Sequence, residues 1–409
     1  MKALVLAGGL PQIKLINELK SRNIEVVLAD YFPNPVAKPY ADIFYQISTL
    51  DVPAISDLAK KENVDFLITV CTDQALLTVA EVSEKLNLPC YIDYQTALNV
   101  TNKQYMKEVF SNNNISTAKY KIVEVFDDEI MEGFSFPIIV KPVDCNSSKG
   151  VKKVNSPDEL KTAFDDAVKI SRTKTAIIEE FISGKELSID VYVEEGCAKI
   201  LNISELEKLP ENDKFVIFRS SCLDNISAQI KYKIQKTAQK IADSFKLRNS
   251  PMLIQLISDG IDVFVLEFSA RTGGGEKFEV IEKVSGFNVI KAVVDLTLGM
   301  YPHVEDREDE QMFISTEFIY CKPGIFKDVK HSEELLDKKI IDKFYLFKWQ
   351  GAEFDTVENS GDRIAGFTIS GKSKEELDSK HNEVLNRLII EDINGDNMMR
   401  KDLLPPLNW

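Results

Sequence analysis

Histidine is scarce in this chain, and His303, His331 and His381 stand far apart with no partner pattern, so none is assigned a catalytic role. Paired cysteines are missing as well. Cys71, Cys90, Cys145, Cys197, Cys222 and Cys321 are scattered, with no Cys-x-x-Cys and no histidine at zinc-like spacing. That argues against a zinc ribbon and fits free thiols in a reducing cytosol. No apolar run is long enough to span a bilayer, and Met1-Lys2 leads straight into a strand without a signal peptide. A cytoplasmic protein with no membrane partner is therefore expected. Positive charge is in deficit. A net charge of −15 argues against non-specific nucleic-acid binding, yet a few well-placed lysines can still build a local anion site. Neither G-x-G-x-x-G nor G-x-x-x-x-G-K-[ST] occurs, so neither a dinucleotide fingerprint nor a Walker loop is encoded.

What remains is a chain of 409 residues, 44% apolar and 28% charged, which is the composition of an ordered protein of about two to four domains or subdomains. Its densest chemistry lies in residues 262–275, Asp-Val-Phe-Val-Leu-Glu-Phe-Ser-Ala-Arg-Thr-Gly-Gly-Gly. The stretch begins as a buried strand, in which alternation puts Glu267, Ser269 and Arg271 on one face. A carboxylate in an apolar strand needs compensation, from Arg271 or from a bound metal. The three glycines let backbone amides approach an anion. Residues 252–257 read as the partner strand, and a three-residue loop with a left-handed Gly260 would set Gln255 on the face of Glu267.

Residues 1–97 alternate strand and helix, as a doubly wound parallel α/β sheet does. Strands are expected over 3–7, 24–29, 66–70 and 89–92. Helices are expected from Pro11 onward, over 55–59, and over 74–86, the last capped by Thr72 or Asp73. Asp30 is read as a turn residue. Thr101-Asn-Lys-Gln104 fits a capping box that places Lys103 in the first turn of a helix, beside any bound anion.

Further on, residues 136–141 form a β-branched strand that delivers Lys141 at its end. A small-residue loop and a returning strand at 151–154 follow, so Ser147, Ser148, Lys149 and Gly150 can offer donors to phosphates. A helix over 156–171 precedes a strand, 176–182, which a turn at 183–186 sends back as 187–193. The edge at Glu179, Glu180, Phe181 and Ile182 suits an adenine, and Glu186 lies where a carboxylate meets ribose hydroxyls. Helices are expected over 231–245 and 285–299. From about 306 the chain changes character, with strands over 312–320, 343–348 and 364–370 and a helix over 374–388, read as a separate small α+β domain.

In this order, the segments Asn102-Lys103, Val140-Lys141-Pro142, 147–150, 179–182, Gly184-x-Glu186 and 266–275 resemble the ATP-grasp superfamily, in the branch of biotin carboxylase, carbamoyl-phosphate synthetase halves, purine-pathway ligases and L-amino acid ligases. The resemblance covers nearly the whole chain. It implies an N-terminal α/β domain (1–97), a central ATP-grasp α+β domain (98–305) with a mobile lid (about 118–181), and a small C-terminal α+β domain (306–409). It also implies roles. Lys103 and Lys141 would contact the α- and β-phosphates of ATP, and residues 147–150 would close over the β- and γ-phosphates. The 179–182 edge would hold adenine, and Glu186 the ribose. Glu267, Gln255 and Ser269 would ligate Mg²⁺, with Mn²⁺ as a substitute, since hard cations prefer oxygen. Arg271 and Lys141 would serve catalysis, Arg271 by steadying the migrating phosphoryl group.

This chain departs from the family pattern at two of these positions: Gln255 stands where a carboxylate is usual, and Ser269 where asparagine is. The expected activity is a carboxylate–amine ligase that makes an acyl phosphate, with small-molecule carboxylate and amine substrates and an amino acid ligase as its specific form. The alternatives are a bicarbonate-activating carboxylase of the biotin or purine type and a non-catalytic ATP-binding regulator. Glu276, Arg219 and Ser220 are candidate substrate contacts, Arg219 as a carboxylate clamp. The resemblance also makes a homodimer an expectation.

Overall fold

In the computed structural model, residues 1–127, 130–145, 149–209, 215–222, 226–305 and 312–407 are described. The N-terminal sheet is parallel, in the order Ile43–Gln46, Glu25–Asp30, Lys2–Leu6, Phe66–Ile68. Its strands are apolar on both faces because helices cover both: Leu10–Ser21 on one side, Val52–Glu62 and Asp73–Leu86 on the other. The expected strand at 89–92 is not formed. The chain there is irregular, and the Tyr91 hydroxyl donates instead to the Ala270 carbonyl at 3.1 Å. The edge strand Ile43–Gln46 takes the fourth place. It is only half-buried, which weakens the apolar signal by which strands are found in sequence. Asp30, expected in the turn, ends the strand Glu25–Asp30 instead, and its carboxylate accepts from the amides of Gly8 and Phe32, each at 2.7 Å.

A second, four-stranded antiparallel sheet runs Tyr120–Val123, Ala176–Glu180, Ile138–Pro142, Lys152–Val154 and is backed by the helix Pro157–Ile170. The strand Ala176–Glu180 does not turn back on itself as expected. After Glu180 the chain leaves this sheet and enters a different one as Lys185–Glu194. Gly184 sits at that crossing, where a Cβ would come within 2.3 Å of the Ser258 carbonyl oxygen, so only glycine fits. The other crossing, just before Tyr120, is fixed on the partner strand, Val263–Ser269: the Val265 amide donates to the Ser116 carbonyl at 2.8 Å and the Thr117 hydroxyl to the Val265 carbonyl at 2.6 Å.

The third sheet organises the molecule. Its eight antiparallel strands follow the order Val263–Ser269, Ser250–Ser258, Lys185–Glu194, Cys197–Lys208, Ile217–Cys222, Phe313–Ile319, Ala365–Gly371, Lys343–Leu346. Three of the strands after residue 305, Phe313–Ile319, Ala365–Gly371 and Lys343–Leu346, thus extend this sheet. A sequence has no local marker for that docking, because Phe313–Ile319 is buried along its whole length in either case. The remaining trailing strands pair as Glu353–Phe354, Gly324–Lys330, Ile389–Asp392. The helix expected over 285–299 is Val289–Thr297, started by Asn288, whose side chain accepts from the Lys291 amide. A separate helix, Lys277–Ser285, precedes it.

Candidate functional site

Asn102, not Thr101, caps the helix Lys103–Asn112: its side chain accepts from the Gln104 amide at 2.9 Å, while Thr101 ends the preceding helix Tyr94–Thr101. Starting there puts Lys103 in the first turn and Lys107 one turn on, along the same face. Both lysines are buried. Strand Ile138–Pro142 brings Lys141 alongside, and Glu179, from the neighbouring strand, takes both charges, with Lys107 at 2.7 Å and Lys141 at 2.5 Å. Burial alone would raise the Glu179 carboxyl; the two ammonium groups outweigh it and hold it at about 2. Burial pulls Lys107 below the usual lysine range even so. Lys103 reaches in the other direction, to the Cys145 carbonyl at 2.7 Å and to Glu267 at 3.2 Å. Glu267 therefore pairs with Lys103, and Arg271 does not take that place.

The hairpin that bears Glu267 reaches the expected facing by a different route. Ser258 pairs with Val263, so the connection is four residues long, with Gly260 at φ +92°. On that register alone Gln255 would face Leu266. A bulge between Gln255 and Leu256 shifts the pairing and sets Gln255 opposite Glu267. Ser269 and Arg271 then turn to Asp73 at the start of the helix Asp73–Leu86. Arg271 Nε donates to Asp73 Oδ1 at 2.7 Å and its terminal nitrogen to Oδ2, while the Ser269 hydroxyl also donates to Oδ1. Asp73 is thus not a cap for its helix, and Thr72, at the capping position, makes no side-chain cap.

A cavity of about 160 Å³ lies between the four-stranded antiparallel sheet and the eight-stranded sheet, lined by Lys103, Lys141, Lys149, Phe181, Ile182 and Glu186. Ile139, Val151, Ile257 and Leu266 add apolar walls to this slot. Phe181 lies under the Lys153 ammonium at 4.3 Å, and Glu180 is exposed at the rim with its amide bound to the Lys119 carbonyl. Glu186 is held by Lys208. Gly150 packs beside Pro142 at the end of the loop, and Ser147 and Ser148 lie outside the described residues.

The slot opens into a cavity of about 760 Å³ that holds Arg172, Ser220, Arg271, Lys277 and Arg363. Cys145, Lys149, Gln255 and Glu267 line both spaces. The expected metal set, Gln255, Glu267 and Ser269, also borders a third space of about 20 Å³, together with Asp73, Lys103 and Arg271. Among the described residues no three of His, Cys, Asp and Glu gather as a metal site, so any ion here would depend on the Gln255 and Ser269 oxygens as well.

Of the candidate substrate contacts, Ser220 lines the large cavity. Arg219 does not serve as a clamp. It is fully buried, bound to Glu317 at 2.7 Å, to Glu207 at 3.3 Å and to the Pro405 and Pro406 carbonyls, so its charge is already satisfied in the core. Glu276 is buried in a left-handed conformation, and burial, then the nearby Glu279, push its carboxyl up to about 8. Sequence reasoning missed Lys107, Lys208, Arg363 and the bridging role of Asp73. Only Lys107 had a usable signal, four residues after Lys103 on one helix face.

Residues 134–279 match the model of the ATP-grasp domain. The formate-dependent phosphoribosylglycinamide formyltransferase of Prochlorococcus marinus subsp. pastoris is 29% identical over 187 residues, 44% of this chain and 48% of that protein. The D-alanine–D-alanine ligase of Geobacter sulfurreducens is 34% identical over 108 residues, 25% of this chain and 34% of that one. The matches thus span about half or less of these curated relatives. Among solved structures, the L-amino acid ligase of Bacillus licheniformis superposes with a TM-score of 0.80 at 20% identity, covering 95% of this chain and 98% of that one. The biotin carboxylase of Campylobacter jejuni gives 0.74 at 14%, covering 98% and 93%. No helix among the described residues is long and apolar enough to cross a membrane. The match to the ATP-grasp domain thus covers residues 134–279, and the chain as a whole shares the fold of these solved structures.

Proposed function

We propose that this chain is an ATP- and Mg²⁺-dependent ligase that activates a small carboxylic acid as an acyl phosphate for attack by an amine. The observation that carries this reading is the wall shared by the slot and the large cavity, on which Gln255 and Glu267 stand. A nucleotide lying in the slot would present its terminal phosphate at that wall, with the second space on the far side for an acid and an amine. Phe181 and Ile182 would flank adenine, and Glu186 would meet the ribose once Lys208 yields. Lys103, Lys141 and Lys149 would bind the phosphates, supported by donors at Ser147 and Ser148. Glu179 would hold Lys107 and Lys141 in place, and backbone groups around Glu180–Ile182 would meet the base. Gln255, Glu267 and Ser269 would hold Mg²⁺, which when bound neutralises phosphate charge and orients the terminal phosphoryl group.

The carboxylate oxygen would attack the γ-phosphorus as ADP leaves, and Arg271 would steady the charge on the phosphoryl oxygens. The amine would then attack the acyl carbon, expelling phosphate and losing a proton. Positioning and charge neutralisation suffice for both steps, and neither needs an activated serine or cysteine. The amino acid ligase form of this reading is supported by the fold likeness to the Bacillus licheniformis enzyme.

The test is phosphate release from Mg-ATP with amino acids and small carboxylic acids, singly and in pairs, with Glu267→Ala as control. Release that needs both an acid and an amine and disappears in the variant is expected. Release that needs bicarbonate instead would replace the reading with a carboxylase. ATP binding without release from any pool would replace it with a regulator.

A further inference from the structure

A divalent cation held by Gln255, Glu267 and Ser269 meets only one formal negative charge, on Glu267, and that charge is already shared with Lys103 at 3.2 Å. A second carboxylate, Asp73, stands behind these ligands, paired with Arg271. We propose that Asp73, contributed by the N-terminal sheet's helix Asp73–Leu86, is a positioning residue of the metal and phosphoryl site. It fixes Ser269 as an oxygen ligand, holds Arg271 in the attitude of an anion clamp, and neutralises the guanidinium charge that would otherwise repel the cation. This inference rests on the ligase reading above.

Three observations carry it. The single proton of the Ser269 hydroxyl is committed to Asp73, which leaves only lone pairs to face the small cavity and shifts electron density onto that oxygen. Arg271 is gripped through two nitrogens by both Asp73 oxygens, which fixes the guanidinium plane. Asp73, Gln255, Glu267, Ser269 and Arg271 all border one space of about 20 Å³, room for a single ion or water. A neutral residue at position 73 could satisfy one of these partners but would leave the arginine's positive charge uncompensated beside the cation.

The competing reading is that Asp73 merely bolts the N-terminal helix to the strand Val263–Ser269. Manganese binding separates the two. Mn²⁺ is titrated into the full chain in the presence of saturating ADP, followed by electron paramagnetic resonance, for wild type, Asp73→Asn, Gln255→Glu and the double variant. The expected result is a loss of Mn²⁺ affinity of about 10–100-fold in Asp73→Asn, with recovery when Gln255→Glu restores a carboxylate among the ligands. A bolt would not be rescued from position 255. Where Asp73→Asn yields too little folded protein, Asp73→Glu keeps the charge, and Mn²⁺ binding within about tenfold of wild type is expected.

Affinity unchanged in Asp73→Asn, or lost without rescue in the double variant, would overturn the role of Asp73 while leaving the ligase reading in place. So would affinity lost in Asp73→Glu. No binding of Mn²⁺ with ADP to the wild type would overturn the ligase reading itself.

Discussion

At the scale of single residues, the decisive arrangement is one carboxylate between two buried ammonium groups. Glu179 is shielded from water, so removing its charge leaves Lys107 and Lys141 without compensation. Glu179→Gln is expected to cost about 3–5 kcal/mol, measured by urea unfolding at neutral pH. The sign of its pH dependence follows from a folded-state value of about 2 against an ordinary 4.5. The contribution is fully present above about pH 4.5 and is lost as pH falls toward 2, because the unfolded chain takes up the proton first. The variant should lose that part of the acid-side slope. Lys141 and Glu267 were legible in the sequence because each is a lone charge set against apolar neighbours, Lys103 by its place in a capping box and Glu186 by its place just past a turn. Asp73 was not, since an acid at the start of a helix already has a sufficient local explanation as a cap. Arg219 misled for the converse reason: its partners Glu207, Glu317 and the Pro405 carbonyl are distant in sequence.

At the scale of elements, the passage between sheets at Gly184 is where the backbone has least freedom. A methyl group there would drive against the Ser258 carbonyl at 2.3 Å and the Ile257 side chain at 2.8 Å. Gly184→Ala is expected to lower stability by about 1–3 kcal/mol in a denaturant titration and to weaken ATP binding by calorimetry, since Ile182 and Glu186 flank the crossing and line the slot. Strands and helices of ordinary length were readable from period and from Gly, Pro and Asn punctuation. The pairing partners were not. Ala176–Glu180 and Lys185–Glu194 look like a hairpin in sequence because a short polar turn joins two apolar runs, and only packing sends them to different sheets. The facing of Gln255 was reached in sequence through a loop length, whereas the fold sets it with a bulge, so two distinct backbone paths give one side-chain arrangement.

At the scale of the whole molecule, the eight-stranded sheet ties the trailing part of the chain to its middle. Phe313–Ile319 pairs with Ile217–Cys222, and Glu317 from it neutralises Arg219. A chain ending at Glu305 is therefore expected to lose cooperative thermal unfolding and to aggregate, as seen by circular dichroism melting and size-exclusion chromatography. It would expose an unpaired strand edge and strand a buried arginine. Composition and alternation indicated a parallel α/β start and an α+β remainder. They were silent on how the trailing strands dock, because long-range strand pairing leaves no local period.

Both chain crossings into the four-stranded sheet, at Thr117 and at Gly184, bear on the one hairpin made by Ser250–Ser258 and Val263–Ser269. Two points define an axle. Any swing of that sheet about it would carry Lys141 toward or away from Glu267, yet would leave the Gln255–Glu267 pairing undisturbed, because that pairing lies within the hairpin itself. The grip on a nucleotide's phosphates would then be adjustable, while the oxygens offered to its cation keep a constant spacing.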